Sequence, residues 1–212
     1  MVVRTSLRRF ASQALVDFSA APPGLRECVR VIPEFVTRDE ERALAAELDP
    51  IFARQRYRRD HWDGVITGYK ETERPAWARE GNAAVVERAR RAITAGGGGD
   101  VAAWLPTHAI ELEPSGEIRP HVDSVKFSGG FVAGVSLLSA AIMTLERADV
   151  GAERAADTVD TVRLLLPPRS LYVLSGAARF EFTHRIGGGT FRGAPVERGR
   201  RISLIFRDAK DG

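Results

Sequence analysis

The chain has one cysteine, Cys28. A single thiol excludes an internal disulfide framework and a cysteine-based zinc site. No apolar run approaches the ~18 residues that a membrane-crossing helix needs. Histidine is scarce, with four in 212 residues. A surplus of one charge is lacking too. The formal net charge is +3, and Arg4, Arg8 and Arg9 against Asp17 supply most of it near the N-terminus. The remainder is near neutral, which argues against a broad nucleic-acid footprint. No internal repeat is visible.

What is present is enough for a full core: 44% of residues are hydrophobic. The length predicts one domain, or at most two. The first segment bears Arg and Ser, is poor in acids, and sets Leu7, Phe10, Ala14 and Phe18 at helical spacing. That is the composition of a mitochondrial transit peptide. The chain therefore divides into a presequence, residues 1–22, and a domain, residues 23–212. The alternative is an ordinary N-terminal helix packed on the domain.

Cys28–Ile32 reads as a short strand. Thr37-Arg38-Asp39-Glu40 is a capping-box pattern that opens a helix carrying Leu44, Leu48 and Ile51 on one face. Pro50 should end or kink that helix. The segment from His61 to Glu73 reads as strand-rich, and a second helix is expected over about Asn82–Thr94. The glycine run at 96–99 stops it. Beyond it the candidate strands are His108–Glu113, His121–Phe127, Phe131–Leu138, Ile142–Arg147, Thr161–Leu166, Leu171–Leu174, Phe180–His184 and Arg201–Phe206. Short runs split by Gly, Pro and Ser suggest a sandwich or barrel. The expectation is an α+β, mostly β fold: a double-stranded β-helix, or jelly roll, with supporting N-terminal helices. Asp149–Asp160 reads as a solvated loop, and Gly187–Gly193 as a mobile lid.

The chemistry concentrates in His121-Val122-Asp123. In a strand, side chains alternate, so the two ligands would share a face. A distant His184 on a neighbouring strand can complete a 2-His-1-carboxylate triad, which leaves open positions on iron(II). Arg201 and Arg207 flank the buried-looking strand Ile202–Phe206. Arginine there suits a planar dicarboxylate, so the set reads as a non-haem iron oxygenase using 2-oxoglutarate. On its own, His-x-Asp also arises by chance. A buried Tyr172 often does no more than satisfy a carbonyl. His61 and His108 read as structural, Asp63 and Tyr69 as half-exposed packing or substrate-mouth residues, and Cys28 as a small core residue.

Pro114-x-Gly116-x-Ile118-x-Pro120-His121-x-Asp123, with His184 and the Arg201–Arg207 pair, resembles the AlkB family of iron(II)/2-oxoglutarate dioxygenases. Gly134–Ser139, Ser170–Leu174 and Arg198–Ser203 extend the likeness, particularly to its mitochondrial branch, over about residues 28–208. The resemblance implies Fe(2+) on His121, Asp123 and His184, with 2-oxoglutarate and molecular oxygen as co-substrates. It implies that Arg201 and the Tyr172 hydroxyl hold the distal carboxylate, with Ile202, Ser203 and Arg207 near the other end. One departure stands out. Where nucleic-acid-repairing members carry Asn and Tyr before His-x-Asp, this chain has Ile110 and Leu112. No extended basic-aromatic lid is visible either, and only Arg54–Arg59 is a candidate. The resemblance therefore points to a dioxygenase, a monomer in the mitochondrial matrix, that hydroxylates or demethylates a protein and serves mitochondrial metabolism or programmed necrosis. The rival readings are an RNA or DNA demethylase and a non-catalytic, metal-containing β-sandwich binding module.

Overall fold

The protein is described by a computed structural model over residues 14–59, 64–96, 101–148 and 160–210. Its centre is a long strand, β4 (Thr107–His121), that serves two layers. The first half of β4 pairs with β12 (Arg201–Ala209), with Leu112 opposite Arg201. The far end pairs with β9 (Phe182–Gly187), with His121 opposite His184. From β12 the ladder continues through β5 (Ser128–Leu137) and β8 (Leu171–Ser175) to β2 (Val29–Ile32). From β9 it runs through β6 (Ala141–Arg147) and β7 (Thr161–Leu166) to β1 (Val16–Ala20). β3 (Ile66–Arg74) lies along β4, and the pairings of this ladder are antiparallel.

One apolar cluster shows that this ladder folds back on itself. Ile110, Val132 and Tyr172 from one wing pack with Met143, Phe182 and Ile186 from the other. The opposite face of the first wing, with Ala133, Val135, Leu204 and Phe206, packs under α1 (Arg38–Phe52) and α2 (Glu80–Thr94). This is the expected jelly roll with its supporting helices. No helix among the described residues is long and apolar enough to cross a membrane.

Local signals explain the helices. Thr37 and Glu40 form the reciprocal capping box at the start of α1. Pro50 falls in the last turn of α1 and is tolerated there, and the helix ends two residues later at Phe52. α2 begins at Glu80, two residues earlier than its apolar periodicity suggests.

The departures from expectation have tertiary causes. Residues 122–127 form no strand, because β4 ends at His121. Gly176–Phe180 is a one-turn helix, α3, so β9 starts only at Phe182. The expected lid is built differently: β10 (Gly189–Phe191) and β11 (Ala194–Val196) pair as a hairpin. Val16–Ala20, read as the end of an amphipathic helix, is a strand on β7. The expectations for residues 1–13, for the glycines at 97–99 and for loop residues 149–159 lie outside the described residues.

Candidate active site

The ladder sets His121 opposite His184, with ring centroids 4.2 Å apart and the rings tilted by 52°. Asp123 lies in the irregular segment that follows β4 and leads into a turn at 125–127, so strand alternation is not what brings it in. One ligand-capable atom from each of His121, Asp123 and His184 lies within 4.8 Å of the other two. Nδ1 of His121 sits 2.9 Å from the carbonyl of Arg119. A carbonyl only accepts, so Nδ1 bears a hydrogen there; the charged ring donates from Nε2 to Asp123, and the neutral ring offers that Nε2 to a metal. Nε2 faces Asp123, 3.3 Å from Oδ1. Metal-binding imidazoles are commonly oriented in this way.

Arg207 grips the same carboxylate, donating from Nε to Oδ2 at 2.8 Å and from Nη2 to Oδ1 at 3.4 Å. Burial opposes the ionisation of Asp123. The hydrogen bond from His121 and the charge of Arg207 overcome it and hold the carboxyl well below the usual carboxylate range. Burial, and then the neighbouring His121, push His184 down to about 3. At neutral pH Asp123 is ionised and His184 neutral, the states in which they bind metal.

A cavity of about 380 Å³ opens on these three residues. Its walls are mostly apolar and come from both wings, among them Ile110, Val132 and Ile205 on one side and Met143 and Ile186 on the other. The site is sunk into the fold, since Asp123 and His184 are each 8% exposed. Tyr172, Ser203 and Arg207 also line it. The Tyr172 ring lies over Gly134, where a Cβ would come within 2.6–2.7 Å of ring and hydroxyl atoms. Burial raises the Tyr172 phenol to about 12, so it remains a donor.

Alternation along β12 puts Arg201 on the same face as Ser203 and Arg207, beyond the cavity wall itself. Its side chain is fully buried. Nε donates to Ser136 Oγ at 3.0 Å, while Nη2 is buried with no hydrogen-bond partner. Burial lowers its pKa to about 10, so it stays charged at neutral pH. An orphaned buried donor is costly, and a carboxylate against it would supply the missing acceptor. Two imidazoles, one carboxylate and a spare buried guanidinium fit iron(II) and a dicarboxylate. Ile202 faces the other way, into the cluster under the helices, so its side chain takes no part in the cavity.

Other sequence candidates fall elsewhere. Tyr69 is a core residue at 1% exposure and is absent from the mouth. Cys28 packs against the same core. His61, Trp62 and Asp63 lie outside the described residues. In the basic stretch, Arg58 and Arg59 ion-pair with Glu71 and Glu113. Sequence reading missed two features. His108 lines the cavity, with Nε2 3.0 Å from Glu71 Oε2 on the same wall. Arg179 on α3 donates from Nη1 to the carbonyl of Asp123 at 3.0 Å. The spacing of His108 from Glu71 carries no signal. The only signal for Arg179 is a charged residue between Ala178 and Phe180 in an otherwise apolar run.

No family model matches the sequence. A mouse protein named mitochondrial alpha-ketoglutarate-dependent dioxygenase alkB homolog 7 is 41% identical over 197 residues, 92% of this chain and 84% of its own length. A bovine protein of the same name is 38% identical over 211 residues, 97% of this chain and 90% of its own length. Among solved structures, a Pseudomonas putida prolyl-4-hydroxylase superposes with a TM-score of 0.62 at 18% identity, covering 87% of this chain and 94% of that one. The alpha-ketoglutarate-dependent epimerase SnoN superposes with a TM-score of 0.60 at 17% identity, covering 86% and 77%. At those identities the solved structures speak to the fold alone. The sequence relatives speak to more: the chain belongs to the AlkB family of iron(II)- and 2-oxoglutarate-dependent dioxygenases, in the group named mitochondrial alkB homolog 7.

Proposed function

We propose that His121, Asp123 and His184 hold the iron, and that Arg201 with Tyr172 anchors the distal carboxylate of 2-oxoglutarate. Ser203 and Arg207 then face the end of the co-substrate nearer the metal. The observation that carries this reading is the buried, unpartnered Nη2 of Arg201 on the face of β12 that also bears Arg207, which grips Asp123. When bound, iron(II), 2-oxoglutarate and molecular oxygen would supply the oxidising chemistry: one oxygen atom enters the oxo acid, which leaves as succinate and carbon dioxide, and the other enters a substrate C–H bond. The chain supplies geometry. Arg207 holds Asp123 ionised and fixed, the Arg119 carbonyl fixes the tautomer of His121, and the apolar walls exclude water from the reacting atoms. Adding iron(II) and then 2-oxoglutarate without oxygen should give a visible charge-transfer band. His121→Ala and Asp123→Ala should each abolish it. A band that survives both substitutions places the metal elsewhere.

The substrate in this reading is a protein side chain in the mitochondrial matrix, hydroxylated or demethylated there. The near-neutral charge beyond the N-terminal segment supports it. So does the cavity lining, in which, among the described residues, Tyr172 is the one aromatic besides histidine. A flipped base would need a stacking clamp. Succinate formation should rise above the uncoupled background with mitochondrial protein extract and not with methylated DNA or RNA oligomers. Stoichiometric demethylation of an oligonucleotide, with no response to protein, reverses the assignment.

A further inference from the structure

Strand pairing fixes His121 and His184, but not Asp123. β4 ends at His121 and β5 begins at Ser128, so the turn between them must be held by other means. Part of the hold is local: the backbone N–H and Oγ of Ser128 both donate to the carbonyl of Ser124, at 3.1 and 2.9 Å. The rest reaches in from α3. Arg179 Nη1 donates to the carbonyl of Asp123 at 3.0 Å, and Nη2 donates to Ser128 Oγ at 2.9 Å. The same nitrogen lies 3.4 and 3.5 Å from the carbonyls of Ser124 and Ser128.

Arg179 is 2% exposed and, among the described residues, has no carboxylate within ion-pair distance. A buried cation with no carboxylate in contact is expensive to keep, and the charges of Asp123 and Asp208 reach Arg179 only from beyond ion-pair distance. A turn that needed only closure could be closed by Ser128, or capped by a neutral side chain. The position of Arg179 matters as well. α3 lies between β8, which bears Tyr172, and β9, which bears His184. Arg179 stands five residues before His184, so it ties the backbone of one ligand to the segment that delivers another. Arg207 holds the carboxylate end of Asp123, and Arg179 its carbonyl end.

We infer that Arg179 is a positioning residue for the metal centre, setting where Asp123 stands through the backbone of the 123–128 turn. This rests on the reading of Asp123 as a ligand. The test is a titration of the metal-free full chain with manganese(II), a redox-inert substitute for iron(II), followed by electron paramagnetic resonance. Arg179→Met should weaken manganese binding by about 10- to 100-fold, the scale on which partners behind a ligand act. It should also broaden the bound-metal spectrum, while the metal-free protein keeps a cooperative melting transition. Arg179→Lys, which keeps the charge but not the fork, should fall between Met and the parent. A folded Arg179→Met protein with the affinity and spectrum of the parent overturns the inference and leaves Arg179 a structural cap. If Arg179→Met fails to fold, Arg179→Lys decides, because it keeps the buried charge, removes the fork and leaves the local closure by Ser128 in place. Several-fold weaker binding supports the inference, and unchanged binding overturns it. Asp123→Ala in the same titration separates the two claims. If it binds manganese like the parent, the ligand assignment falls and takes the inference with it. If it loses binding while both Arg179 variants retain it, only the inference falls.

Discussion

Gly134 makes room for Tyr172, and it can do so because it has no side chain. It sits opposite Tyr172 in the β5–β8 ladder, and the phenol ring occupies the space a Cβ would fill. Gly134→Ala must therefore push the ring or bend the strand, at a cost of about 1–3 kcal/mol. We expect it to weaken 2-oxoglutarate binding while leaving manganese affinity near that of the parent, as measured by titrating each ligand separately. Unchanged 2-oxoglutarate affinity would remove Tyr172 from the co-substrate site. Arg201→Lys tests the other anchor. Lysine cannot reproduce the guanidinium fork, so 2-oxoglutarate binding should fall by about 1–3 kcal/mol, the scale of a hydrogen bond to a charged group. Metal binding should hold, and parental 2-oxoglutarate affinity would assign the anchor to another residue. The proposed ligands and Arg201 could be nominated from residue type: imidazole and carboxylate at ligand spacing, arginine at the ends of an apolar strand; the part given to Tyr172 came from the family resemblance, and the space at Gly134 only from the fold. Arg179 could not be nominated from the sequence. Its role depends on a turn more than fifty residues away, and Gly-Ala-Ala-Arg-Phe gives no sign that a one-turn helix will swing that side chain inward.

The same division holds for the elements. The capping box, both helices and most strands could be read from local pattern, because each has an apolar period of its own. The full length of β4 could not, since Pro114-Ser115-Gly116 reads as a turn and only pairing with β3 and β9 carries the strand through it. The junction of α1 and α2 is another such case. Glu47 on α1 accepts from the backbone N–H groups of Ala78 and Arg79 at 2.7 and 3.3 Å, capping α2 from outside it. It also accepts from Asn82 Nδ2 at 2.7 Å and Arg74 Nη2 at 2.9 Å. Burial opposes the ionisation of Glu47, but these donors outweigh it and lower its pKa below the ordinary 4.5. The stability it contributes is therefore complete above that ordinary value and drains away as pH falls through the lowered one. Glu47→Gln should cost about 1–3 kcal/mol at neutral pH. Denaturant unfolding at a series of pH values should show the gap between parent and variant closing as the carboxylate is protonated. A gap independent of acid would mean that Glu47 contributes by shape rather than charge.

For the molecule as a whole, the open question is where targeting ends and the fold begins. The composition of the first residues suggests a presequence running to about residue 22, yet Val16–Ala20 is the strand that closes one end of the ladder. Val16 is 3% exposed, Leu165 donates its N–H to the carbonyl of Leu15 at 2.8 Å, and Arg192 Nη2 donates to the carbonyl of Val16 at 3.1 Å. Cutting after residue 22 would strip this strand and leave β7 as a bare edge, with unpaired N–H and C=O groups open to another chain. Cutting near residue 13 would leave the ladder complete. We therefore expect the two signals to share the N-terminus without overlapping. Residues 1–25 fused to a cytosolic reporter should carry it to mitochondria, and a reporter that stays diffuse would assign the whole segment to the fold. A protein beginning at residue 14 should unfold cooperatively and stay dispersed, and one beginning at residue 23 should melt lower and self-associate. Sequencing the N-terminus of the imported chain then fixes the boundary. An end before Leu15 is what the strand requires. An end near residue 22, with a residue-23 protein as stable as the residue-14 one, would show that β1 is dispensable and that the composition alone marked the true border.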